Sequence, residues 1–251
     1  MQIISSKLLD NTNEILFGFS TKIGLDRTSP YYFNMSYTVG DEKENVDENR
    51  KVFFEYLGLS VDDVAFQKQI HSDTIKFVDK GGSVGESDAL ITKQKKLGLA
   101  ISSADCTPIF IYDKENKIIA AVHSGWRGTQ KCILKKVLKN LNHHFSSKPE
   151  DLLVYVAPSI SQMNYEIGKE VAVLFDPIYL KMENGKIFLD VQKANINMLY
   201  EFGIPKDNIE ISTLCSYEEK NLLHSYRRDG KLSGRSLGII AMRNIDDIGK
   251  I

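Results

Sequence analysis

The chain has 251 residues, of which 42% are hydrophobic and 26% charged, and its formal net charge at pH 7 is -1. This composition is ordinary for a soluble globular protein that buries a full core, and the balanced charge argues against a nucleic-acid surface built on bulk positive charge. No apolar run in the sequence approaches the roughly 20 residues that a membrane-spanning helix needs.

The first part of the chain predicts short strands around one helix and one long loop. Residues 25–40 are rich in Tyr, Ser, Asn and Gly without a helical period, so we expect a loop that closes over a substrate. Residues 45–57 carry an apolar stripe at helical spacing, and Gly58 fits the C-terminal cap. The glycine-rich run 81–85 predicts a flexible or tight turn. Strands are predicted at 15–20, 63–69, 74–79, 89–92 and 97–102.

The middle of the chain, residues 101–129, predicts a hairpin with one reactive side chain at the open end of each strand. Residues 109–112 and 118–122 are apolar runs joined by a polar turn at 113–117. Cys106 precedes the first run and His123 follows the second, so antiparallel pairing would bring the thiol and the imidazole together.

The remainder of the chain mixes helices and strands without regular alternation. Residues 130–145 have one apolar face and predict a helix. Further predictions are strands at 152–157, 209–214 and 237–242, helices at 169–175 and 191–202, and a short helical turn at 218–222. This order of elements indicates an α+β fold, which we expect to be one domain over residues 1–251.

The three cysteines stand at unrelated spacings, and the first 20 residues lack a basic region followed by an apolar segment. We therefore expect no disulfide framework, no signal peptide and a reducing, cytoplasmic location.

Three residues form the first candidate for chemistry, a metal site of His71, Cys106 and His123. Two imidazoles and a thiolate suit zinc, and three protein ligands leave a fourth position for water or substrate. The spacing matches no compact zinc-finger pattern. The alternative is a buried cysteine with two histidines that serve other roles.

A second candidate uses Cys106 as a nucleophile with His123 as its base, and Asp105 or Gln69 would orient the ring. This hypothesis leaves His71 without a role. A third candidate is an anion site at Gly125-Trp126-Arg127-Gly128, where backbone N–H groups at a helix start and Arg127 could hold a phosphate. Helix capping explains the same residues equally well.

Two further features have simpler explanations. Residues 226–235 concentrate Arg227, Arg228 and Arg235 in one loop, and such a run is usually a solvated charged turn. Trp126, the single tryptophan, is either a core residue or the wall of a pocket for an aromatic ring.

Nine short segments of the sequence match a known family, in the same order along the chain. They are GFSTK at 18–22, VGD at 39–41, ENV at 44–46, ENR at 48–50, QIH at 69–71, SDALIT at 87–92, ADCTP at 104–108, VHSGWRGT at 122–129 and SYRRDG at 225–230. Together they resemble the multicopper polyphenol oxidase or laccase-domain family, which includes the bacterial peptidoglycan editing factor. The resemblance spans nearly the whole chain.

The resemblance implies a single α+β domain of layered mixed β-sheets flanked by helices. It implies one zinc ion, with copper as the second choice, bound by His71, Cys106 and His123. The implied activity is phosphorolysis of adenosine, inosine, guanosine and methylthioadenosine, together with adenosine deamination. The chain has only five histidines, too few for a multicopper cluster beside these ligands, so laccase chemistry is discounted as the main role.

The non-ligand roles follow from adjacency and from the family motifs. Catalytic roles are predicted for Asp105, which would transfer a proton, for Gln69, which would orient substrate or ligand, and for Arg127, which would hold phosphate. Substrate-binding roles are predicted for Ser20, Lys22, Trp126 and Arg227. Expected partners are purine nucleosides and phosphate, without nucleic acid or membrane, for a monomer or homodimer.

Two positions depart from the family pattern. Lys22 stands where an arginine is frequent, and a lysine is a poorer bidentate phosphate clamp. Met163-Asn164 stands where two cysteines are frequent, but neither position is an expected metal ligand. The rival hypotheses are a copper-dependent phenol oxidase and a factor that binds cell-wall precursors around a structural metal.

Overall fold

The computed structural model describes residues 1–244. Its strands are β1 (Ile3–Ile4), β2 (Ile15–Ser20), β3 (Val64–Lys68), β4 (Ile75–Phe77), β5 (Gly82–Glu86), β6 (Ala89–Thr92), β7 (Gly98–Ser103), β8 (Thr107–Asp113), β9 (Ile118–Ser124), β10 (Leu152–Val156), β11 (Glu166–Ile167), β12 (Leu180–Glu183), β13 (Lys186–Leu189), β14 (Ile209–Ile211) and β15 (Ser236–Met242). Its helices are α1 (Lys7–Asp10), α2 (Lys43–Tyr56), α3 (Trp126–Gln130), α4 (Ile133–Phe145), α5 (Lys169–Ala172), α6 (Val191–Phe202) and α7 (Tyr226–Asp229).

Within the described chain, two six-stranded sheets pack face to face, with strand orders β1-β2-β15-β7-β3-β5 and β14-β10-β8-β9-β6-β4. Their facing sides form the central core, where the Phe17 ring lies edge-on to Phe110 and Tyr155 at centroid distances of 4.9 and 5.1 Å. Helix α2 covers the outer face of the first sheet, and α4 with α6 covers the outer face of the second. The resulting four layers confirm the predicted α+β fold of layered mixed sheets.

Strands β8 and β9 lie in the middle of the second sheet, and their apolar runs are continuous because both faces are buried. In β8, Phe110 packs into the core between the sheets, whereas Ile109 packs toward the helices. A slip of one residue would exchange these two faces, so the pairing register is strongly fixed. In that register Pro108 lies opposite His123. The residue before β8 and the end of β9 therefore lie at the same edge, as the sequence predicts.

A small third sheet, in the order β11-β13-β12, lies outside the two main sheets. Strands β11, β12 and β13 were not predicted from the sequence. These strands are half-exposed with mixed polar and apolar residues, so they lack the apolar runs that marked the central strands. Strand β1 and helices α1 and α7 were also not predicted; each has two to four residues, too short to show a period.

The helix predicted at 130–145 is wrong in its first turn. The chain forms the separate five-residue helix α3, and α4 begins only after Cys132, which adopts a left-handed backbone conformation with φ of 58°. A left-handed residue cannot continue an α-helix, so the chain changes direction there. The predicted apolar face of α4 is confirmed, since Ile133, Leu134, Val137, Leu138 and Leu141 are all buried.

The turn predicted at 81–85 is also wrong, because residues 82–86 form the edge strand β5, which pairs in parallel with β3. Its residues are largely exposed, so it shows none of the apolar pattern that reveals a buried strand. The short helical turn predicted at 218–222 is present as a hydrogen-bonded turn, in which the Glu219 carbonyl accepts the N–H groups of Leu222 and Leu223. The helix predicted at 169–175 ends at Ala172, and the strand predicted at 209–214 ends at Ile211.

The remaining predicted elements are confirmed within a few residues at each end. Residues 25–40 form a loop without strand or helix. Among residues 1–244, no helix has the length and apolar character that crossing a membrane requires. The predicted domain extends to residue 251 and so ends beyond the described residues; its extent stays a prediction.

Candidate metal centre and arginine cleft

The three predicted ligands come from two strand ends and one loop. Cys106 immediately precedes β8, His123 lies near the end of β9, and His71 follows β3 in the loop to β4. His123 is buried, Cys106 is half-buried and His71 is exposed. The structure therefore brings His71 to the open end of the hairpin that carries Cys106 and His123.

The ligand atoms of these three residues lie within 4.8 Å of one another, and the distance from Cys106 Sγ to His71 Nε2 is 3.8 Å. Two ligands bound to one tetrahedral zinc ion lie about 3.3–3.8 Å apart, given bond lengths of about 2.0–2.3 Å. The cluster thus fits a metal ion with small movements of the side chains. Within residues 1–244 it is the one group of three or more His, Cys, Asp or Glu residues that could hold an ion.

The electrostatics of the cluster favour a thiolate. Burial raises the pKa of Cys106, but the charges and hydrogen bonds of His123 and His71 outweigh it and lower the pKa to about 6. Burial lowers the pKa of His123, but the Cys106 charge and the Asp88 hydrogen bond raise it to about 9. A cysteine must lose its proton to bind a metal, so the deprotonated thiol is prepared for that role.

Asp88 contacts the cluster through His123. Its fully buried carboxylate lies 2.8 Å from Nδ1 of His123 and also accepts hydrogen bonds from Ser72. Burial raises the pKa of Asp88, but the His123 and Ser72 bonds outweigh it and leave the pKa lowered. Since Nδ1 of His123 is engaged by this carboxylate, its Nε2 is the nitrogen left for a metal.

The turn after β9 lies against the ligands. A Cβ atom on Gly125 would stand 2.7 Å from Cys106 Sγ and 3.2 Å from His71 Cδ2, so a larger residue here would force the turn or the ligands to shift. Ser124, Thr129 and Asn195 join this turn to α6 through a buried network with bonds of 2.8–3.0 Å. The backbone of the turn is therefore held close to the metal site.

Three arginines, Arg127, Arg227 and Arg235, lie near the metal cluster, and we refer to them with their aromatic partners as the arginine cleft. Each guanidinium lies over an aromatic ring: Arg127 over Trp126 at 4.2 Å, Arg227 over Tyr165 at 5.0 Å and Arg235 over Tyr226 at 5.4 Å.

The charges of these residues act on one another and on the metal cluster. Burial raises the pKa of Tyr165, Cys106 and Asp105 raise it further, and Arg227 and Arg127 lower it. Burial lowers the pKa of Arg235, and the charges of Asp105 and Cys106 partly offset this. The charges of the arginine cleft and of the metal cluster are therefore close enough to affect each other. Several guanidinium groups beside a metal site can bind an anion.

Asp105, the neighbour of Cys106, has both carboxylate oxygens occupied. Oδ1 accepts a hydrogen bond of 2.7 Å from the Ser216 hydroxyl, and Oδ2 accepts one of 2.6 Å from the backbone N–H of Arg227. Its backbone is left-handed, with φ of 92°, an unfavourable conformation for a residue other than glycine. The carboxylate thus ties the start of α7, which carries Arg227, to the neighbour of a metal ligand.

Three other predicted site residues are engaged in the scaffold. Gln69 exchanges hydrogen bonds of 2.7 and 2.8 Å with the backbone of Ser102. Ser20 is buried and accepts a bond from the N–H of Leu237. Lys22 is buried, donates to the carbonyl of Lys220 at 3.0 Å and lies 4.0 Å from the centre of the Tyr32 ring. These contacts favour supporting roles for all three residues.

Asp88, Tyr165 and Arg235 were given no role from the sequence. Asp88 lies in the SDALIT segment at 87–92 and Tyr165 directly follows Met163-Asn164, but their nearness to the metal cluster depends on strand order and loop path. Arg235 was assigned to a solvated turn. Arg228 and Arg235 both donate to backbone carbonyls, Arg228 to those of Ser216 and Tyr217 and Arg235 to those of Ser233 and Gly234. They differ in their other partner, since Arg228 also pairs with Asp229, whereas Arg235 lies over the Tyr226 ring.

Comparison with known proteins agrees with this architecture. The family model described as multi-copper polyphenol oxidoreductase laccase matches residues 16–243. The chain is 36% identical to a purine nucleoside phosphorylase of Clostridium acetobutylicum, over 82% of this chain and 86% of the relative. It is 32% identical to a purine nucleoside phosphorylase of Bacteroides thetaiotaomicron, over 82% of this chain and 83% of the relative.

Solved structures share the fold. YlmD from Geobacillus stearothermophilus superposes with a TM-score of 0.89 at 26% identity, covering 95% of this chain and 94% of that one. The hypothetical protein YfiH from Bacillus licheniformis superposes with a TM-score of 0.87 at 27% identity, covering 91% and 93%.

Proposed function

The chain belongs to the multi-copper polyphenol oxidoreductase laccase family, and from this premise we propose that it is a zinc-dependent purine nucleoside phosphorylase that also deaminates adenosine. The observation that carries the proposal is the His71–Cys106–His123 cluster beside the arginine cleft. A metal site and an anion site next to each other suit a reaction in which phosphate attacks a neutral substrate.

The donor set supports zinc as the metal. His71, Cys106 and His123 would hold the ion, and a set of three nitrogen and sulfur ligands is typical of catalytic zinc sites. When bound, the ion would supply Lewis acidity at the position that the protein ligands leave open.

In phosphorolysis, Arg127 and Arg227 would bind hydrogen phosphate against the ribose. An oxygen of phosphate attacks the anomeric carbon, the bond from this carbon to purine N9 breaks, and its electron pair leaves with the purine. The hydrogen of hydrogen phosphate ends on the purine, so the reaction balances without another reactant. The ribose becomes positively charged as the bond breaks, and the bound anion stabilises that charge.

The aromatic rings of the cleft would hold the purine. Trp126 and Tyr165 are half-buried and each carries an arginine over its ring. A flat base stacks favourably on such a surface. In deamination the same pose would expose C6 to water, which replaces the amino group and releases ammonia.

Asp105 was predicted to transfer a proton, and in that role it would have to open one of its bonds to Ser216 or Arg227. We assign it instead the positioning of α7 and its Arg227. Replacement of Asp105 by Asn should then raise the KM for phosphate more than it lowers kcat for deamination. A proton-transfer role predicts the opposite pattern.

Two rival functions predict different measurable results. The family description includes polyphenol oxidoreductase, so a copper-dependent oxidase would consume oxygen with phenols. A factor that binds cell-wall precursors would hold a structural metal and would not turn over nucleosides.

The decisive experiment combines metal analysis of the purified protein with adenosine turnover, with and without phosphate. We expect one equivalent of zinc, adenine only when phosphate is present, and inosine without phosphate. Cys106→Ala should lose the metal and both activities, whereas Cys132→Ala, at the start of α4 and outside the cluster, should keep them. Bound zinc without nucleoside turnover would overturn the proposed substrate and retain the metal site.

A further inference from the structure

The Asp88 carboxylate receives hydrogen bonds from both histidine ligands. Oδ1 lies 2.8 Å from Nδ1 of His123 and accepts the backbone N–H of His71 at 3.1 Å. Oδ2 accepts the backbone N–H of Ser72 at 2.6 Å, its hydroxyl at 2.7 Å and the N–H of Ile70 at 3.3 Å. Five contacts therefore converge on one fully buried side chain, an arrangement that satisfies the hydrogen-bonding capacity of a buried carboxylate.

The loop that carries His71 is folded around this carboxylate. Three successive N–H groups, those of Ile70, His71 and Ser72, point at Asp88. His71 itself has a left-handed backbone with φ of 58°. Consecutive N–H groups around a left-handed residue form a concave anion site, and here the anion is the side chain of the same protein. The bonds to Asp88 stabilise a conformation that His71 would otherwise disfavour.

The backbone of Asp88 contributes to the same arrangement. Its carbonyl accepts the N–H of His123 at 2.8 Å, and its own N–H donates to Thr74 at 3.0 Å. The residue therefore joins β6, β9 and the His71 loop at one point. Cys106 is placed separately, by the register of β8 and β9.

We propose that Asp88 is the positioning residue of the metal centre, which sets His71 through its backbone and His123 through its ring. The inference rests on the metal site of the proposed function and not on any nucleoside substrate. Without the carboxylate, His123 would lose the partner that fixes its ring, and the His71 loop would lose the bonds that hold its left-handed turn. Both imidazoles would then have to be ordered by the metal itself, which weakens binding.

The test compares Asp88→Asn with Asp113→Asn. Asp113 is a matched control, because it is also fully buried and accepts backbone N–H bonds, from Glu115 at 3.0 Å and Asn116 at 2.9 Å. It lies at the opposite end of β8 from Cys106. Both changes replace a carboxylate by an amide of the same size, so both should lower the melting temperature of the metal-free protein.

Metal binding separates the two variants. Affinity for Zn²⁺ and Co²⁺ is measured on metal-free protein by competition with a chromogenic chelator. We expect Asp88→Asn to lower the affinity about 10- to 100-fold and Asp113→Asn to change it less than about twofold. The visible absorption bands of the Co²⁺ protein should change in shape and intensity for Asp88→Asn only, because they report the geometry of the ligands.

Equal affinities and equal Co²⁺ spectra for wild type and Asp88→Asn would overturn the proposal, as would an equal loss in both variants. If Asp88→Asn does not fold, Ser72→Ala removes only the hydroxyl bond to the same carboxylate and should lower Zn²⁺ affinity about two- to fivefold. An unchanged affinity in Ser72→Ala would then overturn it. A wild-type protein that binds neither ion would instead refute the metal site of the proposed function.

Discussion

The two sides of the site are held by different means. On the strand side, Asp88, Cys106 and His123 lie at the ends of β6, β8 and β9, and the buried Asp88 carboxylate is bonded to His123 and to the backbone of the His71 loop. On the arginine side, Arg127 of α3 and Arg227 of α7 are exposed and lie over aromatic rings. Strand ends and buried hydrogen bonds fix atoms closely, whereas exposed side chains on short helices can adapt to a ligand. We therefore expect a rigid metal site beside an adaptable anion site.

The largest effect should come from exchanging the two histidines for alanine. Both His123→Ala and His71→Ala should abolish zinc binding and phosphorolysis, since two ligands do not suffice. Only His123→Ala should also lower the stability of the metal-free protein, by about 2–4 kcal/mol, because it removes a buried side chain that bonds to the buried Asp88 carboxylate. His71 is exposed, so its replacement should cost about 1 kcal/mol or less.

Chemical denaturation of the metal-free variants measures this difference. Equal losses of stability would contradict the contrast between a buried and an exposed ligand. A large loss in His71→Ala only when zinc is present would instead support a structural metal.

On the arginine side, the neighbouring residues Arg227 and Arg228 are expected to have separate roles. Arg227→Ala should raise the KM for phosphate about 10- to 100-fold, because it removes charge-assisted hydrogen bonds to the anion, with little change in stability. Arg228→Ala should instead lower the stability and leave the KM for phosphate little changed. It donates to the carbonyls of Ser216, Tyr217 and Leu223, so its loss should cost about 2–4 kcal/mol. Steady-state kinetics and thermal unfolding distinguish the two, and similar profiles would refute the separate roles.

The part of the site that follows from strand pairing could be predicted from the sequence. The apolar runs of β8 and β9 fix which residues lie at one edge, and Cys106 and His123 follow from that. The position of His71 could not be derived in this way, because it depends on the path from β3 to β4 between the two sheets.

The roles of polar residues were harder to predict for a related reason. Lys22 and Arg227 look equivalent as cations in the sequence, but one is buried against a carbonyl and the other is exposed over a ring. Such differences arise from long-range packing, which leaves no local pattern. The same holds for Cys132, whose left-handed backbone interrupts an otherwise regular helical pattern.

A smaller effect is expected where the backbone approaches the metal ligands. Gly125→Ala places a Cβ 2.7 Å from Cys106 Sγ and should lower zinc affinity about tenfold, at a cost of about 1–3 kcal/mol in stability. Gly128→Ala is the control, since its nearest contact is a side-chain carbon of Ile133 at 3.2 Å. Chelator competition measures the zinc affinity of both variants. An unchanged affinity in Gly125→Ala would show that the backbone of the turn can shift at little cost.

The smallest effect on catalysis is expected for Lys22→Met. The ammonium is buried and bonded to the Lys220 carbonyl, so the KM for phosphate should change less than about threefold while stability falls. A rise in the KM for phosphate as large as that of Arg227→Ala would instead show that Lys22 belongs to the adaptable anion site.

The hairpin of β8 and β9 also has a consequence for the order of folding. Cys106 and His123 are close in sequence and joined by a tight turn, so their half of the site has low contact order and can form early. His71 and Asp88 reach it only when β3 and β6 take their places in separate sheets. A metal ion captured during refolding would therefore meet two ligands first and the third last.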